Sequence, residues 1–139
     1  MKKILFVIGL LIAFTSISRA QGYTYNFVRN YAQGMGYGIG QEWNSQLQQG
    51  QYFTKTFTFD RNVQYDIIAL SEDGNVLDVD MEVLTPSGAV YDRNTRSGRF
   101  AEVTFTPSYD RTLTILVKNN SSTNPYYASK VYFLVAYKD

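Results

Sequence analysis

YDIIALSEDGNVLDVDMEVLTPSGAVYD, residues 65–92, holds three short strand-like runs and two turns. In its middle, Leu77, Val79, Met81 and Val83 alternate with Asp78, Asp80 and Glu82. Successive side chains of a strand point to opposite faces, so this segment has one apolar face and one acidic face. A helix would mix the two sets around its circumference, so the pattern predicts a strand over 77–84. Ser71-Glu72-Asp73-Gly74-Asn75 precedes it, and Pro86-Ser87-Gly88 follows. Both are rich in turn formers: proline presets φ and glycine tolerates positive φ. Residues 65–70 and 89–92 read as the neighbouring strands.

The same alternation extends outward. Phe53, Phe57 and Phe59 share one face, and Tyr52, Thr54, Thr56 and Thr58 share the other. Lys55 interrupts the apolar face, as a lysine does near a sheet edge. Tyr65, Ile67 and Ala69 oppose Asp66, Ile68 and Leu70, so this strand is largely apolar on both faces and is expected to be central. Further on, Ala101, Val103 and Phe105, then Leu113, Ile115 and Val117, then Val131, Phe133, Val135 and Tyr137 define three more inward faces. Polar or turn-forming segments at 93–99, 107–110 and 119–125 separate them. Seven or eight short strands without a long helical pattern predict an all-β, antiparallel β-sandwich. A membrane barrel needs strands of about 9 to 11 residues, longer than most of these.

The chain begins with Lys2-Lys3, an apolar run from Ile4 to Phe14, and Ser18-Arg19-Ala20. This is the pattern of a secretory signal peptide; a transmembrane helix needs roughly 20 apolar residues. The expected organisation is therefore a signal peptide at 1–20, a glycine-rich segment at 21–48 and a β-sandwich domain at 49–139. The expected location is outside the cytoplasm: periplasmic, outer-surface or secreted, with no transmembrane segment after cleavage. There is no cysteine, so stability rests on packing and not on disulfides. The leader carries Lys2, Lys3 and Arg19, which leaves ten basic against twelve acidic groups. No basic excess remains for nucleic acid or anionic lipid.

Within 21–48, Tyr23, Phe27, Val28 and Tyr31 are spaced like one face of a short helix. Gly34, Gly36, Gly38 and Gly40 alternate with other residues, but Ile39 stands where a dinucleotide fingerprint needs its third glycine. The segment reads as a connector, or as a glycine-rich strand lying close against another backbone. Trp43 and Leu47 suggest a short amphipathic turn covering an open end of the sandwich. An alternative makes Tyr37 and Trp43 an exposed aromatic platform for a sugar.

The segment from Leu47 to Lys118 resembles the bacterial pre-peptidase C-terminal (PPC) domain and its stand-alone secreted relatives. The matching features are Gly50 with the following strand, Tyr65-Asp66-Ile67 and Leu77-Asp78-Val79-Asp80-Met81. They continue with Thr85-Pro86-Ser87-Gly88, Asp92, Val103-Thr104-Phe105-Thr106-Pro107 and Leu113-Thr114-Ile115-Leu116-Val117. The usual glycine before the Leu113 strand is replaced around Asp110-Arg111-Thr112. The resemblance implies a jelly-roll-like sandwich outside the cytoplasm that acts as an accessory module and not as a catalyst.

The absence of histidine and cysteine removes triads built on either residue, thiol catalysis, and imidazole or thiolate zinc sites. A glycosidase needs two carboxylates across a cleft, whereas Asp78, Asp80 and Glu82 lie along one strand face. No catalytic residue is assigned and no enzyme is expected. The metal expectation is calcium: Asp73, Asn75, Asp78 and Asp80 offer hard oxygen ligands from one loop and the strand that it enters. Two other readings of these residues stand beside it. One is an acidic face paired across the sheet with Arg93, Arg96 or Arg111, and the other an Asx turn at Asp73 and Asn75. The functional expectation is a secreted, non-catalytic module that binds a protein or polysaccharide partner, with Tyr126-Tyr127 as candidate recognition residues. The alternative is a self-associating structural or envelope-assembly protein that pairs through an edge strand.

Overall fold

The computed structural model describes residues 24–94 and 96–139. The expected leader and Tyr23 lie outside the described residues. A helix, α1 (Tyr25–Gly34), precedes eight strands. These are β1 (Gly38–Leu47), β2 (Tyr52–Phe59), β3 (Gln64–Leu70), β4 (Val76–Leu84), β5 (Val90–Arg93), β6 (Phe100–Phe105), β7 (Arg111–Ser122) and β8 (Ser129–Lys138). They form two four-stranded antiparallel sheets, ordered β1-β8-β3-β6 and β2-β7-β4-β5. The expected all-β sandwich is what the chain builds.

The inner faces meet as the period-two reading predicts. Ile67, Ala101, Val103, Val131 and Phe133 of the first sheet pack against Val79, Met81, Val83, Ile115 and Val117 of the second. Phe57 stacks on Phe133 with ring centroids 5.9 Å apart, and Phe59 meets Tyr65 edge-on at 4.8 Å. Each large side chain buried this way contributes roughly 1.5–3 kcal/mol. β3 lies between β8 and β6 and is buried along its whole length, in line with its two apolar faces. β2, which carries Lys55, is an edge strand.

β4 departs from its expected register at one end. Pairing with β7 shifts on both sides of Asp78. The extra residue of such a bulge moves the preceding side chains to the other face. Val76 therefore enters the core, while Leu77 is 52% exposed. Leu77 does not join Val79, Met81 and Val83 in the core, contrary to the simple alternation.

α1 adds a third layer on the outer face of the first sheet. Thr24 caps it: the Thr24 hydroxyl accepts the Phe27 N–H. Val28 and Ala32, one turn apart, bury against Ile68, Leu70, Leu134 and Ala136. Phe27 stays exposed and stacks on Tyr31, so the buried stripe runs through Val28 and Ala32 and not through Phe27.

The sandwich begins at Gly38, ahead of the boundary expected at 49. Of the two readings of the glycine segment, the close-packed strand is the one observed. A Cβ on Gly38 would sit 2.4 Å from Cζ of Tyr137, and one on Gly40 would sit 3.3 Å from the Val135 carbonyl oxygen. Trp43 and Leu47 lie on this strand and not on a helical turn. Leu47 enters the core, while Trp43 closes the side of the sandwich and stays 47% exposed. Tyr37 is buried, with its hydroxyl accepting from Gln64 Nε2 at 2.7 Å, so it forms no exposed platform with Trp43.

Candidate binding groove

β1 and β8 pair so that Glu42, Asn44 and Gln46 stand opposite Leu134, Tyr132 and Lys130. With period two, these β1 side chains share the outer face of the sheet with Tyr132. An open cleft of about 430 Å³ lies there, lined by Tyr25, Glu42, Trp43, Asn44 and Tyr132. A second, of about 370 Å³, continues from Tyr132 along Lys130, Ala128, Tyr127, Gln46, Glu72 and Asp73. The shared Tyr132 makes the two clefts one groove beside α1.

The wall that α1 supplies is fixed by polar contacts. Tyr25 stacks on Tyr132 with centroids 4.7 Å apart and planes 12° from parallel. The Tyr25 hydroxyl donates to Glu42 Oε1, and Arg29 Nε lies 2.6 Å from the same oxygen. The hydrogen bond from Tyr25, then those from and the charge of Arg29, hold the Glu42 carboxyl below its usual range. Burial, reinforced by Glu42, pushes the Tyr25 phenol up. At the helix N-terminus, the Tyr25 N–H donates to Glu72 Oε1 at 2.7 Å, a position that favours a negative group. Lys130 Nζ sits 5.5 Å from the Tyr132 ring centroid.

The four expected calcium ligands fall into separate hydrogen-bonded settings. Asp73 Oδ1 accepts the Asn75 N–H at 2.9 Å, an Asx turn. Asn75 Oδ1 accepts the Asn124 N–H, and its Nδ2 donates to the Asn124 carbonyl and Ser129 Oγ. Asp78 Oδ1 accepts the Gly98 N–H and its Oδ2 accepts from Asn120 Nδ2, both at 3.0 Å. Asp80 stands opposite Lys118, and burial first, then the charge of Asp78, pushes its carboxyl up. Among the described residues, no three acidic side chains gather where they could hold a metal ion. Of the arginines, Arg93 faces Glu82 across the β4–β5 pair, whereas Arg111 lies over the Tyr91 and Tyr109 rings. Tyr127 and Asp73 reach the groove; Tyr126 is 84% exposed on its own loop.

Two carboxylates escaped the sequence reading as a pair. Asp66 on β3 and Glu102 on β6 are buried on the outer face of the first sheet. The Thr104 hydroxyl donates to Asp66 Oδ1 at 3.1 Å. Asp66 Oδ2 and both Glu102 oxygens have no hydrogen-bond partner among the described residues. The available signal was a charged residue inside a strand read as apolar on both faces.

No protein-family model matches the chain, and no curated protein matches its sequence. Among solved structures, it is similar to the pre-peptidase C-terminal domain of a collagenase from Bacillus anthracis. The TM-score is 0.53 at 16% identity, covering 70% of this chain and 90% of that one. It is also similar to PliG of Aeromonas hydrophila, a periplasmic inhibitor of g-type lysozyme. That TM-score is 0.51 at 12% identity, covering 74% of this chain and 89% of that one. Both likenesses concern the fold, which is that of a PPC-like β-sandwich.

Proposed function

We propose that this protein is a non-catalytic module that binds a polysaccharide along the β1–β8 groove. The observation that carries this reading is the run of Tyr25, Tyr132 and Tyr127 interleaved with Glu42, Asn44, Gln46, Glu72 and Asp73. An aromatic face packs against the C–H surface of a sugar ring, and carboxylates and amides hydrogen-bond its hydroxyls. Two clefts in line, each in the small-ligand range of about 300–1,000 Å³, suit successive units of one chain. A standard protein contact is a broader patch of about 800 Å² per partner.

The setting of Glu42 supports non-catalytic action. Tyr25 and Arg29 hold the Glu42 carboxyl below its usual range, a setting that disfavours it as a general acid. Export, expected from the leader, would bring the groove to extracytoplasmic polysaccharide. Affinity electrophoresis through gels that contain soluble polysaccharides tests the reading. The intact protein should be retarded by at least one of them and Tyr132→Ala should run unretarded; no retardation by any would overturn it.

A second reading has its own observation. β1 is a ten-residue edge strand whose only charged side chain is Glu42, and such an edge can pair with another strand. Self-association through β1 would appear in sedimentation as a size that grows with concentration and that a proline in place of Asn44 suppresses.

A further inference from the structure

Asp66 and Glu102 face away from the sandwich core, on adjacent strands of the first sheet. Asp66 pairs with Thr104, and Glu102 with Ile68, one step along the same face. Asp66 is fully buried and Glu102 is 8% exposed. The two carboxyls lie diagonally across the β3–β6 pair, and each acts on the protonation of the other, yet three of their four oxygens have no hydrogen-bond partner among the described residues. Two ionised carboxylates cannot share such a site without a counter-charge.

The surroundings supply little of it. From β8, Ala136 stands opposite Asp66, and the Lys138 Nζ lies at the Met35 carbonyl, 3.2 Å away. From the α1–β1 connection comes the neutral Tyr37 hydroxyl, bonded to Gln64. α1 brings the apolar Val28 and Ala32 to this face. Arg96, before β6, attracts Glu102 through space without a hydrogen bond to its oxygens. Calcium takes six to eight oxygens, and the pair leaves three. A proton needs two.

We propose that Asp66 and Glu102 hold one proton between them, and that this proton makes the stability of the α1-covered face sensitive to pH. Burial raises both carboxyls; hydrogen bonding by Glu102 and Thr104 draws Asp66 back, while the nearby Asp66 charge raises Glu102 further. A proton held more tightly in the folded chain than in the unfolded one stabilises the fold in acid. That stability is complete below the ordinary carboxylate range, about pH 4, and is lost as pH rises through the raised values. The same helix carries Tyr25 and Arg29 to the groove, so binding should weaken with it. That consequence rests on the groove reading; the measurements below do not.

Infrared spectra of the intact protein at pH 7 should contain a protonated-carboxyl band that Glu102→Gln removes. The unfolding midpoint should fall by roughly 5 °C or more between pH 4.5 and pH 8. Glu102→Gln, whose amide can donate the missing hydrogen bond, should flatten that fall. If the variant does not fold, the band and slope of the intact protein decide. The absence of the band, or a midpoint that rises with pH over this range, would overturn the proposal. So would a midpoint at pH 8 raised by calcium or sodium in the intact protein but not in Glu102→Gln, which would make the pair a cation site.

Discussion

The Lys55 ammonium lies 3.3 Å from the centroid of the Trp43 ring. This contact joins β2 and β1, edge strands of different sheets, and fixes one face of the ring. Lys55→Met keeps the apolar stem and removes the charge. It should cost about 0.5–1 kcal/mol in urea denaturation, the range for an exposed cation–π pair. Trp43 is the only tryptophan, so its emission should shift in the folded variant; unchanged emission would show that the ammonium does not sit on the ring.

The bulge at Asp78 makes a paired prediction. Leu77→Ser should change stability by no more than about 0.5 kcal/mol, because the leucine faces water. Val76→Ala should cost about 2 kcal/mol, since it removes buried methyl groups and leaves a cavity. The reverse order in denaturation would mean that β4 keeps a regular register and buries Leu77.

Gly38 leaves room for the Tyr137 side chain of β8. Gly38→Ala should destabilise by no more than about 1 kcal/mol, because the exposed tip of the Tyr137 ring must swing aside to admit a methyl. Tyr137→Ser should relieve most of that cost in a double-mutant cycle. Additive losses would place the strain elsewhere.

Calcium at Asp73, Asn75, Asp78 and Asp80 is open to direct test. Asp78 has both oxygens engaged, and the loop closes on its own Asx turn. A chelator should therefore leave the melting temperature within about 1 °C. A larger drop that Asp78→Asn abolishes would show that these oxygens turn to a metal.

The inner faces of β7 and of β4 beyond its bulge were legible because each buries alternate residues and the sequence alternates with it, and β3 was legible as a central strand because both its faces are largely apolar. β1 was not: Gln41, Glu42, Asn44, Ser45 and Gln46 carry the polarity of a loop, and only pairing with β8 makes them a strand. Leu77 was misplaced because one inserted residue inverts the faces, and no composition signal marks such an insertion. Asp73, expected as a metal ligand, lies on the groove wall with its Oδ1 accepting the Asn75 N–H, a placement that the sequence does not reveal. The groove itself joins α1 to two strands nearly ninety residues apart in sequence, a juxtaposition that only the topology supplies.

The most direct test of the groove is an amide chemical-shift map of the protein, recorded as the polysaccharide that retards it in gels is added. The shifts should gather at residues 42–46, 72–73 and 127–132 and should vanish in Tyr132→Ala. Shifts confined to the β4–β5 side of the other sheet would contradict the proposed site.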